Sequence, residues 1–324
     1  MTLRVCLASI CSGSVAQIKA MIESAAPYVD EAVVVIAPGN LLALEVSSLA
    51  VPTTRIDHPW EGYAKTRSFA LREAEKRAEW VLTLDDDDRY EAGGSLPPLD
   101  DPNVDAYTLP ISLGGVTFYR PHLTRRGRNW RFEGCGSSGL HEALYGDGRA
   151  EMRKWNRLAY LSGPPSVPTA ERYTEHARLL QIAITEEPSS TRTAFYLAQS
   201  LRDAANLSGG EDRGALAVAL AAYVHRANMI GGFSEETFWS WMNAGRIAWR
   251  LGMPWEAVAS FFAYAQTWGP DRAEPRVDLA RLYDAWGKAD RARGMRAEAA
   301  SLPYPSHALL FVEPIYSTLI KATA

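Results

Sequence analysis

WVLTLDDDDRYE, residues 80–91, decides how the first half of the chain is read. A run with strand character ends directly in four consecutive aspartates, Asp85 to Asp88. Like charges about 4 Å apart repel by roughly 1 kcal/mol in water, and by several times that where solvent screens them only partly. The end of an apolar strand is therefore a costly place to gather them. Acid runs usually form solvated loops, but such loops rarely follow straight from an apolar strand. In an open parallel sheet, ligands sit beyond the carboxyl ends of the strands. Hard cations such as Mn²⁺ or Mg²⁺ take carboxylate oxygens and share the rest of their shell with phosphates. The stretch thus predicts a divalent-cation site whose repulsion is relieved when a cation and a diphosphate arrive.

Around this stretch strands and helices alternate. LRVCLASIC leads into a helical segment near 14–26, EAVVVIAPG reads as a second strand, a helix over 64–77 precedes WVLTL, and AYTLPIS begins another strand. Near-continuous apolar strands separated by helices predict a mostly parallel sheet covered on both faces. The prolines of SGPPSVP, 162–168, stop regular structure of either kind. They separate an α/β domain, 1–165, from an all-helical domain, 166–324. In the second, Gly245, Gly252 and Ala257 recur 35 residues later as Ala280, Gly287 and Ala292. With Trp241, Phe261 and Pro270 near the expected offsets, this fits tetratricopeptide helix pairs of about 34 residues, which stack because none buries its face alone. A looser copy starts at FYLAQSLRDA and is interrupted by NLSGGEDRG. A generic helical bundle is the alternative.

The 324 residues suffice for a core in each half. A net charge of −4 argues against a chain coated by nucleic acid. No apolar run approaches the roughly 20 residues of a membrane span. MTLRVCLASIC reads as a first strand rather than a secretory signal. Cys6, Cys11 and Cys135 lack zinc-site spacing and suit a reducing cytoplasm, with Cys6 and Cys11 packing in the sheet.

LTLDDDDRYE resembles the D-x-D segment of the family 2 glycosyltransferases of GT-A fold. PWEGYAKTRSFALREAEKRAEWVLTLD is similar to that family's aromatic, glycine and arginine-bearing helix before the metal-binding strand, and APYVDEAVVVIAPG to its second-strand region. WRFEGCGSSGLHEAL looks like the His-Glu segment of members that carry helical repeats, and FYLAQSLRDA and YPSHALLFVEPIY resemble parts of that repeat-bearing subgroup.

The resemblance implies a metal-dependent, inverting glycosyltransferase using a nucleotide diphosphate sugar, a UDP-sugar favoured. On it Asp85 contacts the ribose or base, Asp87 binds Mn²⁺ or Mg²⁺, and Asp86 and Asp88 support; a one-residue slip would reassign the metal ligand. Ala8 and Ser9 line the nucleotide pocket, and Asp57 and Trp60 surround the base. Arg67 partners the acids or the diphosphate. His141 completes the metal shell and Glu142 is the general base that deprotonates the acceptor, with Glu133 and Asp147 in reserve. The acceptor is a peptide, a glycan or a hydroxymethylated DNA base, and the helical domain presents it or forms a homodimer.

Several positions depart from the family pattern. Ile36 and Leu41 stand where acids are common, and Ser68 where Asn is usual. The basic stretch RPHLTRRGRNWR, with Arg120, Arg125, Arg126, Arg128 and Arg131, reads as a mobile segment over the donor, a grip on an anionic acceptor, or a solvated loop. Two rivals stay open: a non-catalytic platform on a degenerate scaffold, and a nucleotidyltransferase.

Overall fold

A computed structural model describes residues 4–40, 44–113, 116–161, 163, 169–209 and 212–316. It divides into two units, one of residues 1–134 and 139–166, the other of 135–138 and 167–324. Leu41 and, apart from Gly163, the proline-rich stretch 162–168 lie outside the described residues.

The first unit runs β1 (Val5–Cys11), α1 (Val15–Ala25), β2 (Glu31–Ile36), β3 (Thr53–Asp57), α2 (Tyr63–Glu75), β4 (Trp80–Thr83) and β5 (Arg89–Tyr90). It continues through β6 (Ala106–Leu113), β7 (Val116–Arg125), β8 (Arg131–Cys135), β9 (Leu140–Tyr145), β10 (Met152–Lys154) and β11 (Tyr160–Leu161). The main sheet has the order β3-β2-β1-β4-β7-β6-β11-β5, with β10 also on β6. Strands β3, β2, β1 and β4 are mutually parallel, whereas β7 is antiparallel to β4 and β6.

β1 is buried along its whole length, which its unbroken apolar run requires. Val5 and Leu7 share a core with Ile18, Met21 and Ile22 of α1, while Cys6, Ala8 and Ile10 share one with Ala70, Leu71 and Ala74 of α2. Alternation along a strand sends successive side chains to opposite faces, so a strand covered twice must be apolar throughout. A reciprocal cap starts α1: Ser14 accepts from the Gln17 amide at 3.2 Å and Gln17 Oε1 from the Ser14 amide at 2.8 Å.

One expectation is corrected here. The basic stretch is no mobile flap: residues up to Arg125 form β7, inside the sheet between β4 and β6. Its arginines are used locally. Arg125 lies over the Trp80 ring at 4.9 Å and donates to the Leu99 carbonyl at 3.0 Å. Arg128 pairs with Asp105 at 2.9 Å, and Arg131 with Glu133 and Asp147 at 2.6 and 2.9 Å. Glu133 and Asp147 are thereby spent on Arg131.

The second unit contains α3 (Ala170–Glu186), α4 (Thr191–Leu207), α5 (Arg213–Asn228), α6 (Ser234–Arg250), α7 (Trp255–Trp268), α8 (Glu274–Ala285) and α9 (Ala289–Ser301). The 35-residue recurrence has a structural cause. Gly252 and Gly287 take φ of 67° and 74° just past α6 and α8, the left-handed conformation that ends a helix and suits glycine. Gly245 lets α7 approach α6, since a Cβ there would lie 2.7 Å from the Phe262 ring. The unit's core gathers Phe238, Trp239, Met242 and Phe262.

Candidate functional site

The strand order turns at β1: β2 and β3 lie to one side and β4 to the other. Crevices that bind ligands open at such a switch point, beyond the carboxyl ends of the strands. Here that edge carries the loop after β1 and the acids after β4.

Each acid is held by the protein. Asp85 accepts from the Arg67 guanidinium in a short contact, and Arg67 also reaches Glu142 of β9 at 3.0 Å. One cation from α2 thus bridges the end of β4 and β9. Asp86 turns to the β1–α1 loop, where its Oδ2 accepts the amides of Ser12 and Gly13, both at 2.6 Å. Asp87 lies against Gly163, where any Cβ would come within 2.2 Å of its Oδ2. Asp88 is buried and accepts from the Asp85 amide at 3.3 Å and the Gly163 amide at 3.2 Å.

These environments split the acids. Burial alone would raise Asp85, but Arg67 outweighs it and keeps the carboxyl below its usual range. Asp87 is raised by burial and by the charges of Asp85 and Asp86. Asp88 is pushed up to about 6, by burial first and then by Asp85.

The four acids do not stand as an open cage. Among the described residues, no group of three or more His, Cys, Asp or Glu is arranged to hold a metal ion. The repulsion is relieved by Arg67 at Asp85 and by backbone amides at Asp86 and Asp88. The arrangement does not fit a preassembled Mn²⁺ or Mg²⁺ site on Asp87 and His141. His141 stands in β9 beside Glu142 with a φ of 51°. That left-handed backbone is uncommon for a non-glycine residue, although histidine is among the residues that adopt it more readily.

The other expected residues divide. Ala8 and Ser9 are interior, and the Ser9 hydroxyl bonds the Ile10 carbonyl at 3.4 Å rather than facing a pocket. Asp57, at the end of β3, is drawn to Arg55 at 3.0 Å. Trp60 is half exposed and meets Tyr63 edge-on at 4.9 Å, at the start of the helix that carries Arg67. Ser68, in the position usually held by Asn, accepts the Phe132 amide at 2.8 Å and so ties α2 to β8.

Sequence reasoning missed His122. It is buried in β7, with Nδ1 donating to the Thr83 carbonyl at 2.8 Å and Nε2 bonded to the Tyr160 hydroxyl. Burial pushes it down to about 4, so it is neutral. Arg120 also lowers Asp85, more weakly than Arg67 does. The signal was the alternation within PHLT, obscured by the surrounding arginines.

Neither a protein-family model nor a curated protein matches the chain. Solved structures do. A crystal structure of MamA matches at 14% identity and a TM-score of 0.33, covering 41% of this chain and 69% of that one. BtubC from P. vanneervenii matches at 15% and 0.34, and this chain spans only 54% of its length. MamA from Desulfovibrio magneticus RS-1 matches at 14% and 0.32. Likeness at this level carries no argument about function. The assignment to family 2 glycosyltransferases is withdrawn, because no family model supports it.

Proposed function

We propose that the α/β unit takes a nucleotide diphosphate sugar at the crevice beyond β1 and β4 and transfers the sugar to an acceptor. The observation that supports this reading is the Asp85–Arg67–Glu142 bridge at the switch-point edge. Arg67 is the cation within reach of an incoming diphosphate, and a guanidinium binds phosphate oxygens in the same forked geometry as a carboxylate. When Arg67 turns to the diphosphate, Glu142 is released. Its carboxylate is then placed to take the acceptor's proton as the sugar moves. Trp60 and Tyr63, both half exposed, offer a surface on which a base can stack.

A second reading, a non-catalytic platform, is favoured by the closure of the acids on the protein's own donors. In either reading the helical unit is taken as a tetratricopeptide-like stack, supported by the glycine-ended helices and their 35-residue recurrence.

A mass-spectrometric donor screen separates the readings. Full-length chain is incubated with a mixture of nucleotide sugars, and released products are identified. Release of a nucleoside diphosphate from one donor, reduced in Glu142→Gln, supports transfer. Pyrophosphate release points to a nucleotidyltransferase, and no product from any donor favours the platform.

A further inference from the structure

The C-terminal segment of the helical unit lies along α6 as an extended strap, and its contacts are those by which a groove recognises a peptide. The Glu235 carboxylate accepts two successive backbone amides, Leu309 at 2.8 Å and Leu310 at 2.9 Å. Arg272 donates to the Phe311 carbonyl at 3.2 Å, and the Phe311 ring stacks on Trp239 at 4.1 Å with an interplanar angle of 16°. Two residues on, Arg246 forks the Glu313 carboxylate at 2.6 and 3.1 Å. The strap residues 309 to 313 thus advance alongside 235, 239 and 246, in the direction of α6.

At Pro314 the strap leaves this line. Tyr316 turns back to the start of α8, where its hydroxyl bonds Glu274 at 2.9 Å and the Ala273 amide at 2.8 Å. Beyond Arg246 an open cleft of about 460 Å³ continues along α6, lined by Arg246, Trp249, Arg250, Asp278 and Arg281. Asp278 pairs with Arg246 at 2.6 Å and Arg281 at 3.0 Å, and Arg250 donates to Asn206 at 2.6 Å, so three arginines against one aspartate leave the cleft with a net positive charge. A peptide that kept straight past the Glu313 position would enter it.

We infer that the α6–α8 groove docks an extended acidic segment of a partner protein, of pattern aromatic–any residue–Glu followed by further acids, and that residues 309–313 are its resident stand-in. The partner outcompetes the strap because its extra acids fill the cationic cleft that the strap bypasses. The strap competes from an effective concentration of order millimolar, so the groove opens to a partner in proportion to how often the strap lets go.

The test uses a fluorescein-labelled peptide carrying SHALLFVE, residues 306–313, followed by two glutamates, with fluorescence polarisation as readout. Saturable binding to the full-length chain is expected, and about tenfold tighter binding to Phe311→Ala, whose strap is loosened. Glu313→Gln serves in its place if that variant fails to fold. Replacing the two glutamates by lysines, or introducing Arg281→Glu, is expected to remove most of the affinity. No binding to either loosened variant, or equal binding of the lysine peptide, overturns the proposal. A loosened variant that dimerises and ignores the peptide would assign the groove to a second copy's strap and also overturn it.

Discussion

In the helical unit, the buried acids Glu236, Glu274 and Asp278 each meet at least one arginine. Glu236 faces Arg226 at 3.2 Å and Arg192 at 3.3 Å, Glu274 faces Arg272 at 2.5 Å, and Asp278 faces Arg246 at 2.6 Å. At the end of β4 four acids gather around Arg67, the arginine that bonds one of their carboxylates, while Arg89 donates to the carbonyls of Asp86 and Asp88. Backbone amides make up the difference there, and Asp87 and Asp88 are left raised. Matched buried charges hold a fold in one arrangement. A surplus of one sign at a strand end does not serve packing, and groups displaced in this way cluster where ligands bind.

The comparison breaks most visibly where a matched charge is removed. Arg272→Ala leaves Glu274 buried, and about 3–5 kcal/mol of stability should be lost; urea unfolding reads it. A loss below 1 kcal/mol would mean that Tyr316 alone satisfies Glu274. In the α/β unit the large effect should fall on chemistry. Glu142→Gln is expected to lower turnover by about 10²–10⁴-fold with little change in donor affinity. An unchanged rate would place the base elsewhere.

Asp88 sharpens the contrast, because here removing a charge should stabilise. Its carboxyl moves from an ordinary 3.8 to about 6 in the folded chain. The folded state then holds the proton more tightly than the unfolded one, so stability is highest below about pH 4 and falls as pH rises through about 6. Asp88→Asn removes that fall and should stabilise the chain at pH 7 by about 2 kcal/mol. Melting curves across pH 4–7 that leave wild type and variant parallel would refute it. The smallest effect is expected for Asp86→Ala, about 1 kcal/mol, because water replaces part of what the Ser12 and Gly13 amides lose.

How far the sequence could be read follows from the range of the forces involved. β1, β2, β4, α1 and α2 were legible because a strand buried on both faces must be apolar throughout, and a covering helix must show its own period. The change from α/β to helical grammar was legible for the same reason. The close glycines at 245, 252 and 287 were legible because crossings and helix ends demand them. β7 was not: Arg120 and Arg125 made a sheet strand look like a loop, and only tertiary partners, Trp80 and the Leu99 carbonyl, explain Arg125 there. Within the site, the Arg67–acid pairing was foreseen. How the acids are held without a ligand was not legible, since the amides of Ser12, Gly13 and Gly163 that bond Asp86 and Asp88 come from distant segments with no side-chain signature.

The central claim is that the acid edge beyond β1 and β4 receives a nucleotide sugar. Its most direct test is the melting temperature of the full-length chain against a panel of nucleotide sugars, with and without Mn²⁺. A ligand at about 100 times its Kd stabilises the folded state by about 2.7 kcal/mol. The account predicts an upward shift for one donor that disappears in Arg67→Gln, each shift being read against that protein's own unliganded melting temperature. A flat response to every donor, with and without Mn²⁺, would contradict it.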